Sequence, residues 1–159
     1  MSALGIFHTA VSILPIGFGL VAFARDGKID PKNRLGQLYT ATMAIGSVTA
    51  LGFIATKGFG PPQVLTLLTL AILAVATLTV RGHWRGPGYV QTVGLTASYF
   101  LLMFFATTET LTRLPAADPF ASGPTDPVLA PVRLGLLAAL ALVVGLQVRK
   151  LRTATVRVR

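Results

Sequence analysis

Residues 64–80 read VLTLLTLAILAVATLTV, an apolar run interrupted only by threonines. Residues 134–146 read LGLLAALALVVGL and are just as apolar. Neither run alternates polar and apolar residues with the period of two that a transmembrane β-strand shows. Only helices and closed barrels satisfy their backbone groups inside a bilayer. The two runs therefore predict an all-α membrane protein.

The composition of the whole chain agrees with this interpretation. The 159 residues are 53% hydrophobic and 12% charged, with a mean hydropathy of +0.71, whereas soluble domains are about 25% charged. A helical span takes about 20 apolar residues. We expect a single polytopic transmembrane domain over residues 1–159, with five spans at about 5–24, 37–56, 62–80, 88–107 and 130–148.

Most basic residues fall on one side of the predicted spans, which indicates an orientation. Eleven of the 14 fall in residues 25–34, in residues 81–85 and in the tail 149–159. The opposite side holds Lys57, Arg113 and Arg133. The positive-inside rule then places the N-terminus outside and the basic tail in the cytoplasm of a bacterial cell, in the inner membrane.

A long loop, residues 107–131, is predicted on the outer side and contains five prolines. Prolines deny most of it a regular helix. It is either an extended, partly disordered connector or a cap over the outer mouth of the bundle. A cap would have to bury the bulky apolar residues that follow Leu114 in the loop, Phe120, Val128 and Leu129.

The charged and reactive residues exclude several classes of function. A net charge of +9 would suggest nucleic acid in a soluble chain, but here the basic clusters flank apolar runs, so we expect no nucleic-acid partner. The chain has no cysteine, two histidines and five acids, too few for a dense metal site. No nucleophile–base pair is evident, so we assign no catalytic or metal residues and expect no enzymatic activity.

Small and hydroxyl residues recur at helical spacing in spans one, two and four, whereas spans three and five are almost purely aliphatic. Helix contacts in membranes favour such residues. We expect spans one, two and four to enclose a polar interior, with three and five more exposed to lipid. The stripes are also typical of plain helix packing, because Gly, Ser and Thr occur at helix contacts in most multi-span proteins. The candidate ligand-binding residues are His8, Ser12, Tyr39, Gln91, Ser98, Thr107 and Glu109.

His8 and Glu109 should both lie near the outer interface, where they could meet. The alternatives are that His8 sits among headgroups and that Glu109 pairs with Arg113 at i+4. His83 is predicted at the other interface, about 30 Å away. That distance argues against haem bound by both histidines of one protomer, and the cofactor, if any, is unknown.

The junction Lys32-Asn33-Arg34-Leu35-Gly36-Gln37-Leu38-Tyr39 resembles the His-Arg-x-Leu-Gly-x-x-Tyr-type junction of an uncharacterised bacterial family of small multi-span membrane proteins. Like that family, the chain has a histidine in its first span and a Ser-Tyr pair, Ser98-Tyr99, in a later one. Where the family pattern places histidines, this chain has Lys32 and Gln91. The resemblance implies a fold and no activity.

Three functions fit these features. The first is a binding protein whose polar interior accepts a small apolar or amphipathic ligand from the outer side. The second is an accessory or assembly subunit, in which aliphatic faces pack on other subunits or on a second copy, and the basic tail contacts anionic lipid. The third is a small transporter or proton-coupled permease, although the span interiors lack charge.

Overall fold

The computed structural model describes residues 2–81 and 87–156, whose regular structure is helical throughout. Five helical segments are long and apolar enough to cross a membrane, which confirms this part of the prediction. His83, Arg85, Arg157 and Arg159 lie outside the described residues. The helices are α1 (Ala3–Asp26), α2 (Arg34–Leu51), α3 (Ile54–Lys57), α4 (Pro61–Arg81), α5 (Pro87–Leu111) and α6 (Ala130–Val156), with a 3-10 turn at Pro127–Leu129 before α6.

The turn between α1 and α2 is fixed by the side chains at its two ends. Gly27 ends α1 with a φ of 68°, a left-handed conformation that favours glycine. Asn33 caps α2, because its side-chain oxygen accepts the Gly36 N–H at 2.8 Å, and its amide nitrogen donates to Asp26 at 3.0 Å. A Cβ on Gly36 would lie 1.9 Å from the carbonyl oxygen of Asp30. The residues of the 32–39 junction thus have a structural role in this turn.

Helices α1, α2, α4 and α5 form a closed ring, in which each helix packs against two neighbours. The helices α1 and α2 run antiparallel, since His8 contacts Thr49 near one end and Gly19 lies against Tyr39 near the other. We call the end of the bundle where α1 begins the Ser2 end and the opposite one the Asp26 end. Helix α6 packs on the outside of the ring, against α5.

The expectation that span three faces lipid more than spans one and two is wrong. In the hydrophobic window of α4, 28% of residues are buried, against 17% in α1 and 22% in α2. Its buried face includes Gln63, Thr66, Thr69 and Thr79. The threonine hydroxyls donate to backbone carbonyls of the preceding turn, which lowers the cost of placing them inside the bundle.

Span five is exposed, as predicted. Only 6% of the hydrophobic window of α6 is buried, whereas α5, at the centre of the contacts, buries 39%. Leu134, Leu137, Leu142 and Leu146 all present half or more of their surface to the surroundings.

The loop before α6 is folded on itself through Asp126. The Asp126 carboxylate accepts the Ser122 hydroxyl at 2.7 Å, the Ser122 N–H at 2.8 Å and the Val128 N–H at 3.0 Å. Leu129 is buried, but Phe120 is 66% exposed and Val128 51% exposed. The loop therefore has defined turns, but it leaves exposed two of the three apolar residues that a cap would have to bury.

Candidate functional site

A cavity of about 820 Å³ opens among the four ring helices in the half of the bundle near the Ser2 end. Its rim includes Ser2 just before α1, Phe53 after α2, Pro62 from α4 and Arg113 after α5. Its deepest lining residues, Ile16, Met43, Thr69 and Leu102, come from the same four helices. Ligand pockets for small molecules have volumes of roughly 300–1,000 Å³, so the cavity is large enough for one such molecule.

Hydroxyl and amide side chains line two walls of the cavity. Ser12 and Ser47 stand on the wall of α1 and α2, and Gln63, Thr66 and Thr69 stand on the wall of α4. The Gln63 amide oxygen accepts the backbone N–H of Gly60 at 2.9 Å. The hydroxyls of Thr66 and Thr69 donate within their own helix, so their oxygens retain lone pairs that can accept hydrogen bonds from a guest.

His8 is held at the α1–α2 contact. Its Nδ1 lies 2.9 Å from the Thr49 hydroxyl, which also donates to the carbonyl of Gly46 at 2.9 Å. A Thr49 hydroxyl that donates to Gly46 would leave its oxygen free to accept a proton carried on Nδ1 of His8. The imidazole edge also contacts Phe53, with ring centroids 5.4 Å apart. These contacts fix the ring orientation at the cavity wall.

Glu109 and Arg113 form an i,i+4 ion pair at the mouth of the cavity, and both side chains are more than half exposed. This is the alternative that the sequence left open for Glu109. An exposed pair of this kind adds about 0–1 kcal/mol of stability. His8, Ser12 and Glu109 thus line one cavity. Within it, His8 contacts Thr49 and Glu109 pairs with Arg113.

Tyr39 and Ser98 close the inner end of the cavity. They lie one helical turn beyond the lining residues Met43 and Leu102, and their oxygens are 2.8 Å apart. Tyr99 lies beside them and donates to the carbonyl of Ile16 at 3.5 Å. A layer of two tyrosines and one serine therefore separates the cavity from the Asp26 end of the bundle.

No protein-family model, curated protein or solved structure matches this chain. The resemblance of residues 32–39 to a bacterial family accordingly stays a prediction.

Four of the residues predicted for the site are absent from the cavity lining: Tyr39 and Ser98, which lie just beyond its inner end, and Gln91 and Thr107. Gln91 is buried near the start of α5, where its amide nitrogen is 3.5 Å from the Thr79 hydroxyl. Thr107 donates to the carbonyl of Met103 at 2.8 Å, within its own helix. Both residues stabilise helix contacts or helix geometry instead of lining the cavity.

Several polar residues were missed by the sequence reasoning. Gln63, Thr66 and Thr69 recur at i, i+3 and i+6, and this spacing could have revealed the polar face of α4. Gln147 is a lone amide near the end of an aliphatic span, and a buried polar group there needs a partner. The Thr96 hydroxyl donates to the amide oxygen of Gln147 at 2.9 Å, and the amide nitrogen of Gln147 donates to the Gly27 carbonyl at 3.0 Å.

The cavity lining combines polar and apolar groups. Across residues 2–81 and 87–156, no three histidine or acidic side chains come close enough together to hold a metal ion. The cavity offers an imidazole, hydroxyls, an amide and an ion pair, surrounded by aliphatic and aromatic groups. Such a lining suits a molecule with one polar end and an apolar body.

Proposed function

We propose that this chain is a small integral inner-membrane protein of bacteria that binds one small amphipathic molecule in the cavity at its Ser2 end. The single observation that supports this function most directly is the cavity of about 820 Å³ with polar groups on two walls. Packing alone would fill the space between the helices, because a void in a bundle forfeits van der Waals contacts.

The distribution of lining groups gives the guest an orientation. The charged residues Glu109 and Arg113 lie at the mouth, whereas Ile16, Met43 and Leu102 lie at the inner end. A guest would place its polar end near the ion pair and its apolar body between the ring helices. Ser12, Ser47 and Thr66 could then bind a second polar group partway along the molecule.

The polar interior in this proposal is larger than the one predicted from spans one, two and four. Helix α4 contributes Gln63, Thr66 and Thr69 to its lining. We further propose that the Ser2 end faces outward, because the Asp26 end carries Arg25, Lys28, Lys32 and Arg34 and cytoplasmic loops are enriched in basic residues. The guest would then enter from the outer side.

The test is purification in mild detergent, followed by an absorbance spectrum and mass spectrometry of extracted small molecules. Ala106 lines the cavity, so Ala106→Trp should fill it, whereas Ala71→Trp adds the same bulk to an exposed face of α4. We expect a stoichiometric guest in the wild type and in Ala71→Trp but not in Ala106→Trp. Equal guest content in all three proteins, or no guest in any folded preparation, would contradict the proposal.

A further inference from the structure

A second groove lies on α6, on the side turned away from the ring. It is lined by residues from a single stretch of α6, 141–152. Gln147 marks the opposite side of this helix, because it is buried and bonds to Thr96 of α5. At 100° per residue, Ala141 and Gly145 point more than 100° away from Gln147. The groove therefore faces the surroundings of the protein.

Two rows of side chains form the groove, and an arginine ends each row. The first row consists of Ala141, Gly145, Val148 and Arg152, which are spaced three or four residues apart. The second row consists of Leu142, Leu146 and Arg149. The first row is low because Gly145 has no side chain and nothing lies within 4 Å of its Cβ position. The second row is a ridge of two leucines. The result is an apolar channel about 16 Å long that ends at two guanidinium groups.

Both guanidiniums are exposed, and in the described part of the chain neither forms an ion pair. Because Arg149 and Arg152 are three residues apart, their side chains can reach the same anion. Guanidinium binds phosphate oxygens in a bidentate manner. Their position at the end of a hydrophobic span is also the level of the lipid headgroups.

We propose that this groove binds one anionic phospholipid, with its phosphate held by Arg149 and Arg152 and one acyl chain lying along Ala141 and Gly145. The groove favours an anionic lipid over a zwitterionic one, because the net negative charge of an anionic lipid is attracted to the two guanidinium groups. This site is separate from the cavity and does not depend on the function proposed for it.

A second copy of the chain fits the groove less well. Copies of one membrane protein insert with the same orientation, so an α6–α6 contact would be parallel. That arrangement would bring Arg149 and Arg152 close to their own counterparts, and like charges repel. A lipid phosphate neutralises the same two charges.

The experiment measures which lipid the full-length protein retains when it is offered equal amounts of phosphatidylglycerol and phosphatidylcholine in detergent, by native mass spectrometry. At about 1 kcal/mol for each basic residue, two arginines correspond to roughly a 30-fold preference for phosphatidylglycerol. The double substitution Arg149→Gln and Arg152→Gln should bring this ratio close to one. Its matched control, Lys32→Gln with Arg34→Gln, removes two charges from the same end and should keep the preference.

A second pair of variants tests the acyl channel while leaving the charges in place. Gly145→Leu fills the groove, whereas Gly135→Leu makes the same change on α6 outside it, and neither position has a neighbour within 4 Å. We expect Gly145→Leu, but not Gly135→Leu, to lower the amount of retained phosphatidylglycerol several-fold. An unchanged ratio in the arginine double variant would overturn the proposal, as would an equal loss in the lysine–arginine control. A dimer that Gly145→Leu converts to monomer without change in lipid ratio would assign the groove to a second copy instead.

Discussion

The Tyr39 hydroxyl lies 2.8 Å from the Ser98 hydroxyl, although the two residues are 59 positions apart in the sequence. Ser98 donates its own proton to the carbonyl of Leu95 at 2.9 Å, so Tyr39 is the donor in this pair. Tyr39 has no exposed surface, and neither does Ser98. The hydrogen bond thus joins α2 to α5 across the middle of the ring, directly below the cavity.

A double-mutant cycle on this pair should give a coupling free energy of about 0.6 kcal/mol, the average for hydrogen bonds between membrane helices, and at most about 1.7 kcal/mol. Tyr39→Phe and Ser98→Ala each remove the bond and keep most of the packing. Unfolding in increasing sodium dodecyl sulfate would supply the four free energies. Strict additivity of the two substitutions would show that the bond contributes nothing to stability.

Gly19→Ala should destabilise the protein by about 1–3 kcal/mol, the usual cost of overpacking. A Cβ at Gly19 would lie 2.4 Å from ring carbons of Tyr99. Gly17, two residues earlier in the same helix, has nothing within 4 Å of its Cβ position. The matched variant Gly17→Ala should therefore unfold at the same or a higher detergent concentration than the wild type, because alanine favours a helix more than glycine does. Similar losses in both variants would contradict the close contact of α1 with Tyr99.

Gln147→Leu should loosen α6 by about 1–2 kcal/mol, because it leaves the Thr96 hydroxyl and the Gly27 carbonyl without this partner. Among the described residues of α6, Gln147 is the only one with a buried polar side chain. Leu146→Ala is the control, since Leu146 is 50% exposed. Hydrogen exchange of the α6 amides should be faster in Gln147→Leu than in the control, and equal rates would argue against this role.

The fold of the loop before α6 should depend on pH through Asp126. Three hydrogen bonds, led by the one from the Ser122 hydroxyl, lower the pKa of this carboxyl to about 2, below the ordinary value of about 3.9. A group with a depressed pKa stabilises the fold above its unfolded pKa and loses that contribution as pH falls through the folded pKa. The loop should therefore lose stability between about pH 4 and pH 2.

The carboxyl carbon of Asp126 can be followed by NMR over this range. Ser122→Ala removes the largest cause of the shift, so the titration midpoint should rise toward the ordinary value. Asp118→Asn serves as the control because Asp118 is exposed elsewhere in the same loop. A midpoint that is unchanged by Ser122→Ala would rule out the hydroxyl as the cause.

The proposed orientation can be tested with single cysteines, since the chain has none of its own. Lys32→Cys and Thr153→Cys should resist a membrane-impermeant maleimide in intact cells, whereas Thr125→Cys should react. All three positions are exposed in the structure. Reaction at Lys32→Cys without reaction at Thr125→Cys would reverse the orientation.

The number and type of the membrane-crossing helices follow from the sequence because they depend on local properties. Runs such as residues 64–80 are long and apolar enough to cross, and Gly27 and Asn33 end or begin a helix through contacts within a few residues. The stripe of His8 and Ser12 on α1 is also a local property, because the spacing of residues along a helix fixes which of them share a face.

Which helix each face meets was decided only by the tertiary structure. Aliphatic side chains pack as well against lipid as against another helix, so the sequence of α4 contains a polar face but does not indicate which helices that face meets. His8 pairs with Thr49, and Gln147 reaches Gly27, through contacts 41 and 120 positions apart. These pairings depend on the rotation and register of whole helices, which only the packing of the complete bundle fixes.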